Sequence, residues 1–218
     1  MQSRSLSNSP RTRVRRHPER GVYEAQAIRE ILDEGMVAHV GFVNDGVPVV
    51  IPTAYGRDGN TLYLHGSAVA AWCKSAGAGA TVCVTVTLVD GLVLARSTFH
   101  HSMNYRSVVV FGRARLLIER EEKLHGLESI VEHLVPGRSA EARSPNEKEL
   151  AATSVLALDL DEASAKVRSG GPIDDEGDCS RPVWAGVLPS RTLFGPPRPD
   201  EKVPPLVDVP AYIKTYAR

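Results

Sequence analysis

Residues Met36–Ser67 read M-V-A-H-V-G-F-V-N-D-G-V-P-V-V-I-P-T-A-Y-G-R-D-G-N-T-L-Y-L-H-G-S, and the period of this stretch decides the fold class. Met36–Val43, Val47–Tyr55 and Thr61–His65 are short β-rich runs, separated by Asn44-Asp45-Gly46 and Arg57-Asp58-Gly59-Asn60. Asp-Gly tolerates the positive φ of tight turns, so each break predicts a hairpin. Three strands joined by two tight turns make an antiparallel meander, not a βαβ unit.

Outward from this meander the same reading continues. Tyr23–Glu34 places Ala27, Ile28, Ile31 and Leu32 on one helical stripe, and Gly35 stops it. Ser67 is positioned to cap a short alanine-rich helix through Ala76, closed by Gly77 and Gly79. Ala80–Val89 alternates Val and Thr at period two, and Gly91 is expected to turn it into Leu92–Ser97. Arg106–Ile118 predicts another long strand, Glu119–Leu134 and Ser144–Ala151 predict helices, and Ser154–Leu160 a late strand. About six strands with peripheral helices give a mainly β fold, a closed or partly closed antiparallel barrel. No glycine-rich strand-to-helix turn supports a doubly wound sheet. The expected divisions are a basic arm over residues 1–20, the barrel over 21–190 and a proline-rich tail over 191–218.

Composition excludes several function classes. Lysine plus arginine equals aspartate plus glutamate at 26 each, so no overall field points to nucleic acid or an anionic membrane. No apolar run approaches the roughly 18–20 residues that span a bilayer, and a cytoplasmic protein is expected. Cys73, Cys83 and Cys179 are odd in number and irregular in spacing, which argues against a disulfide framework and against a zinc site. Arg4, Arg11, Arg13, Arg15, Arg16 and Arg20 crowd the first 20 residues beside one acid, Glu19. Without aromatics or an apolar face, that segment reads as a flexible or partner-clasping arm rather than a nucleic-acid arm.

Chemistry concentrates in Thr98–Gly112, T-F-H-H-S-M-N-Y-R-S-V-V-V-F-G, a polar cluster feeding an apolar strand. Adjacent His100 and His101 point to opposite faces of any strand and cannot readily share one metal. His39, His125 and His133 read as structural. No G-x-S-x-G motif offers a nucleophilic serine.

Together with L-Y-L-H-G-S at Leu62–Ser67 and P-V-W-A-G-V-L-P at Pro182–Pro189, this run resembles the flavin-binding split β-barrel proteins. Within them it is most similar to the pyridoxamine 5'-phosphate oxidase-like branch that includes the nitroimidazole-resistance proteins. The resemblance implies a homodimer with flavin mononucleotide (FMN) at its interface. It implies ring-edge contacts from Pro48, Val49, Val50, Ile51, Pro52 and Thr53, and ribityl-phosphate contacts from Leu64, His65, Gly66 and Ser67. Arg106 and Ser107 match the family's strand opening, and Trp184 matches the tryptophan that covers the flavin. Ala70 and Ala71 stand where the oxidases carry an Arg-Lys pair, and Lys74 is the nearest substitute. His65 matches a histidine implicated in the nitroimidazole branch; His101 is the second candidate proton donor. The implied activity is an FMN-dependent oxidoreductase that passes electrons from a nicotinamide donor, NAD(P)H, to a small planar acceptor such as a nitro compound or quinone. The alternative is a flavin, deazaflavin or haem binding or sensing protein without turnover, with His65 or His101 as axial ligand.

Overall fold

A computed structural model of the chain describes residues 9–217; Arg4 of the basic segment lies outside them. In chain order the elements are β1 (Gly21–Val22), α1 (Ala25–Glu34), β2 (Val37–Asn44), β3 (Val47–Asp58), β4 (Thr61–Ser67), α2 (Ala71–Gly77) and β5 (Thr81–Leu94). There follow β6 (Ser102–Arg113), β7 (Arg115–Leu116), α3 (Arg120–Leu134), α4 (Glu147–Ala152), β8 (Thr153–Asp159), β9 (Ala163–Arg168), β10 (Gly186–Pro189) and α5 (Ala211–Lys214). The strands form one sheet in the order β1-β9-β6-β5-β2-β3-β4-β8-β7, with β10 added to β5. Every pairing is antiparallel.

Period two builds the core. Val40 pairs with Val84, Val84 with Val110, and Val110 with Ala163, and all four are buried. One residue along, His39, Thr85, Val109 and Ser164 form the matching row on the outer face. Burying each valine contributes about 1.5–3 kcal/mol, so a one-residue slip of register would be strongly opposed. Leu158 of β8 packs where Gly112 of β6 lacks a side chain, and this contact draws the two flanks of the curved sheet together.

Helices close the remaining surfaces. α1 buries Ile28, Ile31 and Leu32, and its last carbonyls are met by the Tyr55 hydroxyl, 2.5 Å from Leu32 O and 3.0 Å from Gly35 O. α3 covers β3 and β4: a Cβ on Gly56 would stand 2.5 Å from the Ile130 nitrogen, so only glycine admits the helix there. α4 starts with a reciprocal cap between Asn146 and Glu149. The tail runs exposed past Ser190 and returns through α5, just after which the Tyr216 hydroxyl donates to Leu134 O at 2.5 Å.

Four expectations change. Gly91 does not turn the chain; β5 runs through it with a bulge between Val89 and Gly91, and β10 lies close enough that a Cβ there would meet Leu188 O at 2.8 Å. Ser67 stays in β4, paired with Thr153, so α2 opens at Ala71 without a side-chain cap. The predicted Arg106–Ile118 strand begins earlier, at Ser102, and breaks at Ala114. β9 was not anticipated.

Candidate functional site

The outer row extends across β3: Pro52 pairs with His39, His39 with Thr85, Thr85 with Val109, and Val109 with Ser164. Beside it runs Val50, Gly41, Cys83 and Phe111. These rows make a platform of small and apolar side chains, and Val37, Val43 and Val50 on it are all exposed. Such a wall suits a planar ring or another protein surface.

A groove of about 820 Å³ opens at one end of the platform, lined by Val37, His39, Thr87, Val89 and Arg106, with Pro189–Leu193 of the tail across it. Arg106 is not a free cation. Its guanidinium reaches the Glu34 carboxylate, with Nη2 2.7 Å from Oε1, and the Asp90 carboxylate, with Nε 3.0 Å from Oδ2. Hydrogen bonding from Arg106 holds Glu34 below the usual carboxylate range, and the two acids raise Arg106 in return, Glu34 more than Asp90.

The remaining candidates divide between the faces of the sheet. Pro48, Val50 and Pro52 are exposed on the platform, whereas Val49 and Ile51 pack partly buried against the core, and half-buried Thr53 donates to Ala54 O at 3.1 Å. The Leu64 side chain is fully buried in the core. The space beside Gly66 is filled by Trp72 and Cys73 of α2, so its missing Cβ serves internal packing. Ser67 and Lys74 are exposed around the β4–α2 connection. Ser107 lies under the basic segment and donates to Lys166 O at 3.4 Å.

His65 is half-buried beside Val155; its Nδ1 is buried with no hydrogen-bond partner among the described residues, and burial pushes its pKa down. The imidazole is therefore neutral near neutral pH. His101 is exposed, with Nδ1 2.9 Å from Ser97 O. Met103, Leu92 and Leu188, which begin two residues further on, form an exposed apolar ledge across β6, β5 and β10. Its neighbour His100 faces Asp175, Nε2 to Oδ2 3.3 Å.

Trp184 is 67% exposed, its ring against Gly186, and so plugs no core. Gly186 pairs with Leu94 and Ser107 with Thr87, so about 20 Å of strand lies between those levels at ~3.3 Å per residue. Ser67, Ser107 and Trp184 therefore share no cleft within one chain. Two residue sets escaped sequence reasoning: His39, whose outward position follows from burial of Ala38 and Val40 on either side, and the arginines of residues 11–16, which line a wall instead of trailing free.

The family model described as pyridoxamine 5'-phosphate oxidase matches residues 24–167. A comparison with curated proteins returned no match. Among solved structures, a flavocytochrome from Azotobacter vinelandii is 41% identical, with 94% of this chain and 95% of that one covered and a TM-score of 0.89. A FAD and haem binding protein from Mycobacterium smegmatis is 36% identical over 89% of this chain and 95% of its own, with a TM-score of 0.85. A candidate 5-nitroimidazole antibiotic resistance protein from Bacteroides thetaiotaomicron is 25% identical over 67% of this chain and 86% of its own, with a TM-score of 0.57. The match over residues 24–167, and the identity to the flavocytochrome over nearly the whole length, show that the chain belongs to the pyridoxamine 5'-phosphate oxidase family.

Proposed function

We propose that the protein is a redox protein that holds a flavin nucleotide and a haem in the same polypeptide. One observation carries this reading: the likeness to the flavocytochrome spans 94% of the chain, beyond the residues that the family model matches. The M. smegmatis relative is described with FAD, so the flavin expected here is the dinucleotide rather than FMN.

The chain's own groups fit both cofactors. The platform through Val50, Pro52, Gly41 and Thr85 gives an isoalloxazine an apolar wall that excludes water. A haem iron takes a neutral imidazole. Exposed His101 has its Nδ1 on Ser97 O and leaves Nε2 without a hydrogen bond, and half-buried His65 has a buried Nδ1 with no partner, both among the described residues. When bound, a flavin exchanges one or two electrons and a haem one, which makes the pair suited to splitting a two-electron donor into single steps. The protein's contribution is to exclude solvent at the platform and to hold a proton at the imidazole that is not bound to iron.

We place the cofactors at the interface of two identical chains, because Val37, Val43 and Val50 lie exposed together on one face of the sheet, and such apolar faces mark interaction surfaces. The narrower expectation of a nicotinamide donor and a nitro or quinone acceptor draws on the Bacteroides relative, whose likeness is weaker, and ranks second. Mass analysis of the small molecules released when the purified chain is denatured tests the reading. FAD together with haem supports it; release of neither, with no uptake of either when added, rejects it.

A further inference from the structure

Residues 9–16 cross the outer face of β6 and β9 and build a groove of about 300 Å³ there. The segment is pinned at several points. Ser9 and Arg11 both donate to the Glu162 carboxylate, and the Arg11 guanidinium lies 5.7 Å from the centre of the Phe111 ring. Thr12 is 2% exposed, and the Val14 N–H donates to the Tyr23 hydroxyl at 3.0 Å. This is an ordered wall, not a flexible arm.

What the wall presents is unbalanced positive charge. Arg13, Arg15 and Arg16 line the groove from one side and Lys166 of β9 from the other. None of these four makes an ion pair with a carboxylate among the described residues, and the nearby acid, Glu162, is engaged by Arg11. Several arginines elsewhere are matched by acids: Arg57 with Asp33, Arg96 with Asp174, Arg115 with Glu122, Arg143 with Glu149. In a protein of zero formal net charge, four cations gathered round one hollow repel one another unless an anion enters. Ser107 and Ser164 add hydroxyl groups to the same hollow. Seven-residue α2, by contrast, offers Lys74 alone, because Ala70 and Ala71 are uncharged. The outer row from Pro52 ends at Ser164, so the platform runs directly into the groove.

We infer that this groove is a diphosphate-binding site. Resting on the flavin reading above, the diphosphate is that of a flavin dinucleotide. Its size fits a pair of phosphoryl groups, and guanidinium forks suit their oxygens. The site thus lies across the sheet from the β4–α2 end where the family resemblance puts the phosphate.

The test is calorimetric titration of the full chain and of an Arg13→Gln, Arg15→Gln, Arg16→Gln variant with inorganic pyrophosphate, FAD and FMN. Unchanged circular dichroism shows that the variant is folded. Pyrophosphate should bind the parent and bind the variant at least about tenfold more weakly, with affinity falling as salt rises. FAD should lose a similar factor and FMN less. No pyrophosphate binding to the parent, or equal binding to both proteins, overturns the groove. FAD bound equally by both proteins also overturns it while leaving the flavin reading intact. Pyrophosphate bound only by the parent, with no flavin bound by either, supports the groove and removes the flavin reading. Tighter binding of a short DNA duplex than of pyrophosphate, lost in the same variant, overturns the proposal in favour of a nucleic-acid surface.

Discussion

Nδ1 of His101 lies 2.9 Å from the carbonyl oxygen of Ser97. A carbonyl can only accept, so Nδ1 carries the proton and Nε2 is the bare nitrogen. An imidazole that binds a metal commonly has its other nitrogen tied to a backbone carbonyl in this way. His65 lacks that orientation, since its buried Nδ1 has no partner among the described residues. His101→Ala is therefore expected to lose the Soret band in haem titrations, whereas His65→Ala keeps it. The opposite pattern would move the iron to β4.

Arg168 is a second place where geometry makes a strong demand. Only 6% exposed, it donates to the Asn104 side-chain oxygen and to the carbonyls of Gly170 and Gly171, at 3.3 and 3.0 Å for the two glycines. These neutral oxygens anchor the stretch after β9 against the start of β6. Arg168→Met leaves the Asn104 side-chain oxygen and Gly171 O without this donor, while Gly170 O keeps the Asn104 amide at 3.1 Å. The substitution is expected to cost about 2–4 kcal/mol in urea denaturation. A loss under ~1 kcal/mol would show that water takes over these bonds.

The Arg106 cluster makes a pH prediction. Glu34 is held below its ordinary value of 4.5, chiefly by hydrogen bonding from Arg106. A depressed carboxylate contributes stability that is fully present above 4.5 and is lost as pH falls through the folded-state value. The stability gap between the parent and Arg106→Gln should thus be largest above pH 4.5 and shrink on acidification. Denaturation curves that keep the gap constant to low pH would contradict the assignment.

If two chains bury the platform, a charge in its centre must weaken them. Val50, 64% exposed in one chain, is expected to be covered in the dimer. Val50→Glu should halve the mass measured by light scattering at micromolar concentration, and a parent that is already monomeric would remove the interface.

The meander was legible because its turns are chemically explicit: Asp45 and Gly46 take φ of +49° and +80°, as the Asn-Asp-Gly signal requires. Ala163–Arg168 was not legible, since A-S-A-K-V-R has weak alternation and no Gly or Pro marks the turn before it. Gly91 misled because glycine serves turns and close approaches alike, and only the position of β10 distinguishes them. The same limit applied to the site. Period two shows that His65 and Leu64 face opposite ways, but not that Leu64 is the one inside. That Arg106 is matched by Glu34, far away in sequence, is likewise a property of tertiary contact.

The central claim is that one chain carries both redox groups, and an absorption titration of the purified protein tests it most directly. A flavin band and a Soret band should each saturate at one equivalent per chain, neither cofactor displacing the other. Saturation by only one of them, or displacement of flavin by haem, would contradict it.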